Sequence, residues 1–154
     1  MPFCPNSLSE ARHLTIDNIE NTEIQISQIH GFGLFATDRI RRGTILCFLD
    51  GQVIDKAHYA EIFETLKPEV QSISSFLFME CNYISDTQIL ARPFRTKYSY
   101  INHAFAPNVQ IQEHPKRLFV TQDIPNGVEL TLDYRAEPLT SEYLSKPEKF
   151  FLRE

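Results

Sequence analysis

The sequence predicts a mainly β fold with a few short helices, and three observations carry that prediction. Apolar and polar residues alternate in short runs, as in Ile24-Gln25-Ile26, the pattern of half-buried strands. Turn residues interrupt those runs about every ten positions, which gives roughly eight strands. Only the stretch after Asp55 keeps helical spacing over several turns. At 154 residues, 42% apolar and 23% charged, the chain suits one globular domain with a core.

Residues 1–22 mix Pro, Asn, Ser and charges and read as an N-terminal arm, with one turn of helix around Ser9 to His13. The domain proper is read as 23–136. Its first strand runs into His30-Gly31, and Phe32 lies between Gly31 and Gly33, where the backbone can bend sharply or approach a ligand closely. Leu34-Phe35-Ala36 resumes extended structure. Asp38 to Gly43 is a charged turn whose three arginines read as a solvated face, and Thr44 to Leu49 is expected to be a buried strand. Asp55 is placed to cap a helix carrying Tyr59, Ile62, Phe63 and Leu66 against the sheet, with Pro68 expected to stop it.

Ser75 to Met79 and Asn82 to Ser85 are aromatic and flanked by turn residues, as paired strands are. Their rings either pack in the core or line an apolar channel. Pro93 to Tyr100 reads as a short helical turn, and Val109/Ile111 and Leu118/Val120 as two strands joined through His114-Pro115-Lys116. After a turn at Asp123 to Gly127, Glu129 to Tyr134 is expected to be the last strand. The tail, 137–154, is read as packing on the domain, with a helix from Ser141 that carries Tyr143, Leu144, Phe150 and Phe151.

Fifteen basic and twenty acidic residues leave a formal charge of −5, which suits a basic partner and argues against a nucleic-acid binder that neutralises phosphates. No apolar run approaches the ~18 residues of a membrane span, so no membrane partner is expected. The start, Met1-Pro2-Phe3-Cys4, lacks the pattern of a secretory signal and favours an intracellular, cytoplasmic site, with nuclear or secreted-effector roles left open. Cys4, Cys47 and Cys81 are single and distant, and the five histidines show no His-x-x-x-His spacing, so no metal site is expected.

Three stretches remain: His30-Gly31-Phe32-Gly33, then Tyr100-Ile101-Asn102-His103 leading to Pro107-Asn108, then Gly127-Val128-Glu129-Leu130-Thr131-Leu132-Asp133-Tyr134. In that order they resemble the SET domain of protein-lysine methyltransferases, from about Glu23 to Tyr134. The resemblance implies a SET-like fold of several small sheets with a knot-like C-terminal crossing. It also implies S-adenosylmethionine as cofactor and a lysine-bearing protein, histones included, as substrate. Carried over by motif, His30, Gly31, Phe32 and Gly33 offer main-chain contacts to the cofactor, Asn102 its side-chain amide and His103 its backbone. Tyr134 matches the active-site tyrosine that orients the amine, and Leu49, Tyr83 and Leu132 fall at the substrate channel.

The chain departs from the family pattern at Leu49, where many members have a second channel tyrosine, at Ser99 and Ala104, and at Leu132, where members have Phe or Tyr. Leu49, Ser99 and Leu132 motivate a second reading, a SET-like binding module with little or no turnover, and a third reading is methylation of a non-protein amine. A cysteine-rich zinc segment, which many members carry after the domain, does not follow Tyr134. The tail aromatics are therefore expected to close the site, with closure by a second copy in a homodimer as the rival arrangement.

Overall fold

The computed structural model describes residues 5–73 and 80–153. The expected strand from Ser75 to Met79 lies outside the described residues. Among the described residues ten strands form three small sheets, so the molecule is mainly β, as the alternating runs required. Thr22–Ile26 (β1) and Phe32–Ala36 (β2) pair as an antiparallel hairpin. Ile45–Phe48 (β3), Asn102–His103 (β7), Val109–Gln112 (β8), Arg117–Val120 (β9) and Thr131–Leu132 (β10) make a five-stranded sheet in the order β3-β9-β8-β10-β7. Gln52–Asp55 (β4), Glu80–Tyr83 (β5) and Gln88–Arg92 (β6) make a three-stranded sheet in the order β4-β6-β5.

The core lies between the hairpin and the larger sheet, where Leu34, Val109, Leu118, Val120 and Leu130 are fully buried. Each such side chain contributes on the order of 1.5 to 3 kcal/mol. Residues of the 1–22 segment join this core: helix Leu8–His13 (α1) supplies Ala11, and Ile19 is equally buried. A buried ion pair, Arg92 Nε to Glu80 Oε1 at 2.6 Å, stiffens the smaller sheet across β6 and β5. Glu80 also accepts from the Thr96 backbone N–H at 2.9 Å, which fastens the 3₁₀ turn Lys97–Tyr100 in front of Asn102.

Three elements differ from expectation. Helix Lys56–Ile73 (α2) is capped by Asp55, whose Oδ1 accepts from the N–H groups of Ala57 and His58, yet it runs through Pro68. Pro68 stands on the exposed side, where a carbonyl deprived of its helical donor can turn to water. Leu66 is also exposed, so the helix covers less of the sheet than its apolar spacing suggested. β3 is not buried: it is an edge strand with Ile45 and Phe48 exposed, and Leu49 just beyond it is the buried residue. The last expected strand shrinks to β10, because the Asp133 carboxylate accepts from the Arg135 N–H and turns Tyr134–Ala136 into a 3₁₀ helix.

Candidate active site

The hairpin and the Asn102 segment build a cradle of oxygen atoms. Gly31, at φ +50, turns the chain between β1 and β2 and brings the Ser27 hydroxyl and the His30 and Phe32 carbonyls to one side. Asn102 is buried there, its Nδ2 lying 3.1 Å from Ser27 Oγ, 3.2 Å from both carbonyl oxygens and 2.8 Å from Glu129 Oε1. One amide nitrogen carries two hydrogens, so four acceptors exceed what it can serve. Ser27 Oγ in turn donates to the Glu129 carboxylate at 2.8 to 2.9 Å. Gly33 has a different reason for being glycine than approach to a ligand. A Cβ there would overlap Glu129 Oε1 and come within 2.8 Å of its Cδ, so the empty space already houses a carboxylate.

β10 runs parallel to β7, pairing Thr131 with Asn102 and Leu132 with His103. Asn108 holds the approach to β10: its Nδ2 donates to the Glu129 carbonyl and its Oδ1 accepts from the Thr131 N–H, both at 2.8 Å. On the far side of β10 the Tyr134 N–H donates to His103 Nδ1 at 3.1 Å. The imidazole proton then belongs on Nε2, which is buried without a hydrogen-bond partner. Burial holds the His103 pKa below the ordinary imidazole value, and although the Asp133 carboxylate 3.7 Å from Nδ1 pulls upward, it does not outweigh that burial. Rings of Phe105, Tyr134 and Phe151 surround the imidazole at centroid distances of 4.7, 5.3 and 5.8 Å.

A cavity of about 170 Å³ opens beside Tyr134, and Tyr83, Tyr98 and Tyr143 line it with Leu132 and Glu137. The Tyr134 hydroxyl donates to the Ile101 carbonyl at 2.7 Å, and burial raises its pKa well above the usual phenol value. Tyr143, from the tail helix Ser141–Ser145 (α3), meets the Tyr83 ring edge-on at 5.6 Å. Tyr83 also carries the Lys56 ammonium over its face, 4.6 Å from the centroid.

His30, Gly31, Phe32, Gly33 and Asn102 thus lie around the cradle, His103 follows Asn102 in β7 with its ring beside Tyr134, and Tyr83, Leu132 and Tyr134 line the cavity. Leu49 does neither: it belongs to the main hydrophobic core. Ser27, Glu129, Tyr98 and Glu137 were not anticipated, while Tyr143 is one of the tail aromatics expected at the site. Of these, Glu129 had a signal, since it stands in the third motif.

Residues 31–135 match the family model for the SET domain. The variant-silencing SET domain-containing protein of Plasmodium falciparum (isolate 3D7) is 25% identical over 122 residues, covering 75% of this chain and 5% of that protein. Histone-lysine N-methyltransferase 2D of Homo sapiens is 29% identical over 140 residues, 86% of this chain and 2% of its own length. The putative histone-lysine N-methyltransferase ASHH4 of Arabidopsis thaliana is 28% identical over 138 residues, again 86% of this chain and 37% of its own length. The chain therefore spans well under two thirds of each of these relatives. With the match covering most of the sequence, from Gly31 in the first motif through the other two, the chain belongs to the SET-domain family.

Proposed function

We propose that this chain is an S-adenosylmethionine-dependent methyltransferase of protein lysine side chains. One observation carries the reading: a cradle with surplus acceptors and a tyrosine-lined cavity adjoin the same two-residue strand, β10, whose Leu132 pairs with His103 and also lines the cavity. The family generally uses S-adenosylmethionine, and the residues present fit that molecule. The His30 and Phe32 carbonyls and the Glu129 carboxylate offer more acceptors than Asn102 needs, while Ser27 Oγ is occupied by the Ile29 and His30 N–H groups; this surplus suits the cationic amino group of a methionine moiety. The unpartnered His103 Nε2, ringed by Phe105 and Phe151, suits a flat heterocycle with hydrogen-bond acceptors. When bound, this cofactor supplies a methyl group on a positively charged sulfur.

The chain's own part is alignment. Positioning alone can supply effective molarities of about 10⁵ to 10⁸ M. Tyr134 gives its proton to the Ile101 carbonyl, which leaves its oxygen lone pairs to accept from a lysine N–H and orient the amine. Its raised pKa keeps the phenol neutral, so Tyr134 orients the amine without taking a proton from it. The tyrosine walls exclude water and favour the uncharged amine.

The relatives named as histone methyltransferases and the net charge of −5 make basic protein tails the first substrates to test. The purified chain is expected to bind S-adenosylmethionine by calorimetry and to transfer label to lysine in a panel of histones and other lysine-rich proteins, read by mass spectrometry. Cofactor binding with no transfer to any member of the panel would overturn the enzymatic reading in favour of a binding module.

A further inference from the structure

Among the described residues lining the cavity, Glu137 is the single carboxylate. It is held from two sides: Oε1 accepts from Asn82 Nδ2 at 2.5 Å and Oε2 from the Tyr83 backbone N–H at 3.1 Å. Those donors are themselves fixed, since Asn82 is fully buried and its Oδ1 accepts from Arg92 Nη2 at 2.7 Å, while Tyr83 lies in β5. Each carboxylate oxygen has two lone pairs, so each keeps one after these bonds. A preoriented, partly desolvated carboxylate on the wall of an otherwise phenolic cavity is suited to a cation.

We propose that Glu137 receives the substrate as an ammonium ion and takes a proton from it, which assigns to this cavity a carboxylate-guided site for a primary alkylammonium. The inference rests on the methyl-transfer reading above. In the step, one N–H bond of the ammonium breaks, its electron pair stays on nitrogen, and an O–H bond forms on Glu137; the proton leaves to water when the product departs. Cys81, Tyr83, Tyr98 and Tyr134, which also face the cavity, stay protonated and cannot take the proton. Burial raises the phenols of Tyr83, Tyr98 and Tyr134, and it lifts the Cys81 thiol to about 11. Burial also raises Glu137 above the ordinary carboxylate value, opposed by the bonds from Asn82 and Tyr83 and by the charges of Lys116 and Arg92, which brings it nearer to neutrality. Tyr143 completes the ring of groups.

The test uses the full chain and two probes of one shape, n-butylammonium chloride and n-butanol, titrated by NMR. At pH 7.5 the ammonium should bind about tenfold or more tightly than the alcohol, the lower range for a hydrogen bond to a charged group. That preference should vanish in Glu137→Gln and should fade in the wild type as pH drops through the Glu137 pKa, followed by its carboxyl ¹³C shift. If Glu137→Gln fails to fold, the wild-type pH titration decides alone, because a preference that persists after Glu137 protonates overturns the assignment. A chain that methylates lysine without preferring the ammonium refutes the role of Glu137 and leaves the proposed function standing. A chain that prefers the ammonium through Glu137 but methylates no protein does the reverse.

Discussion

Gly33→Ala probes the cradle directly. The added methyl would overlap Glu129 Oε1 and approach Ser27 Cβ to 3.0 Å, and the movable object is the end of the Glu129 side chain. The cost is therefore what Glu129 loses on leaving: its bonds from Asn102 at 2.8 Å and from Ser27 at 2.8 Å. Hydrogen bonds to charged groups contribute roughly 1.5 to 3 kcal/mol each. Because Glu129 is only half-buried and water can replace part of this, and because Ala suits a strand better than Gly by about 0.5 to 1 kcal/mol, the net destabilisation should be about 2 to 4 kcal/mol. Urea unfolding of the wild type, Gly33→Ala, Glu129→Ala and the double variant measures it. In the Glu129→Ala background the same glycine substitution should cost under about 0.5 kcal/mol, so nearly its whole effect appears as coupling. An equal cost in both backgrounds would refute the account of Gly33.

Tyr134→Phe removes the hydroxyl that donates to the Ile101 carbonyl; methyl transfer should fall at least about tenfold while calorimetric cofactor affinity holds, as expected for a group that orients only the amine. Arg92→Met strands the buried Glu80 carboxylate and should lower unfolding free energy by about 3 to 5 kcal/mol in denaturant titrations. His103, with its folded pKa below the unfolded value, contributes stability that is present above about pH 6.5 and is lost as pH falls toward the folded value, so melting temperature should decline over that window and decline less in His103→Gln. Removing residues 141–154 takes Tyr143 from Tyr83 and Phe151 from His103; cofactor affinity should fall with no change of mass in solution, and a simultaneous change from dimer to monomer would instead favour closure by a second copy.

The three motifs were legible because each depends on residue types with narrow conformational or hydrogen-bonding uses. Gly31 needs a positive φ, and the amides of Asn102 and Asn108 bind backbone groups across strands. What stayed hidden depends on distant partners. Nothing near Glu137 in sequence marks it, since its donors Asn82 and Tyr83 lie 55 and 54 residues earlier. Ile45 to Leu49 is a continuous apolar run that reads as uniformly buried, and nothing in it separates the buried Leu49 from the exposed Ile45 and Phe48. Glu129 to Tyr134 reads as one strand by period, and only the Asp133 side chain, bonding its own backbone neighbour, ends it. Pro68 was overruled because an exposed helix can lose one bond to solvent.

β10 is only two residues long, too short to fix its register by backbone ladder bonds, yet both halves of the site are set by it. Glu129 lies just before it in the cradle and Tyr134 just after it at the cavity. A slip of one residue would exchange the faces of Thr131 and Leu132 and displace both functional side chains together. The side chain of Asn108 prevents this by making two bonds that a longer strand would take from its neighbours, and His103 adds a third by accepting from the Tyr134 N–H. The Pro-Asn and Asn-His motifs therefore act as register pins. This explains why a chain with apolar residues at positions 49 and 132 can still hold the cradle and the tyrosine-lined cavity at a fixed separation: what sets that separation is polar and local to β10, and neither Leu49 nor the Leu132 side chain takes part in it.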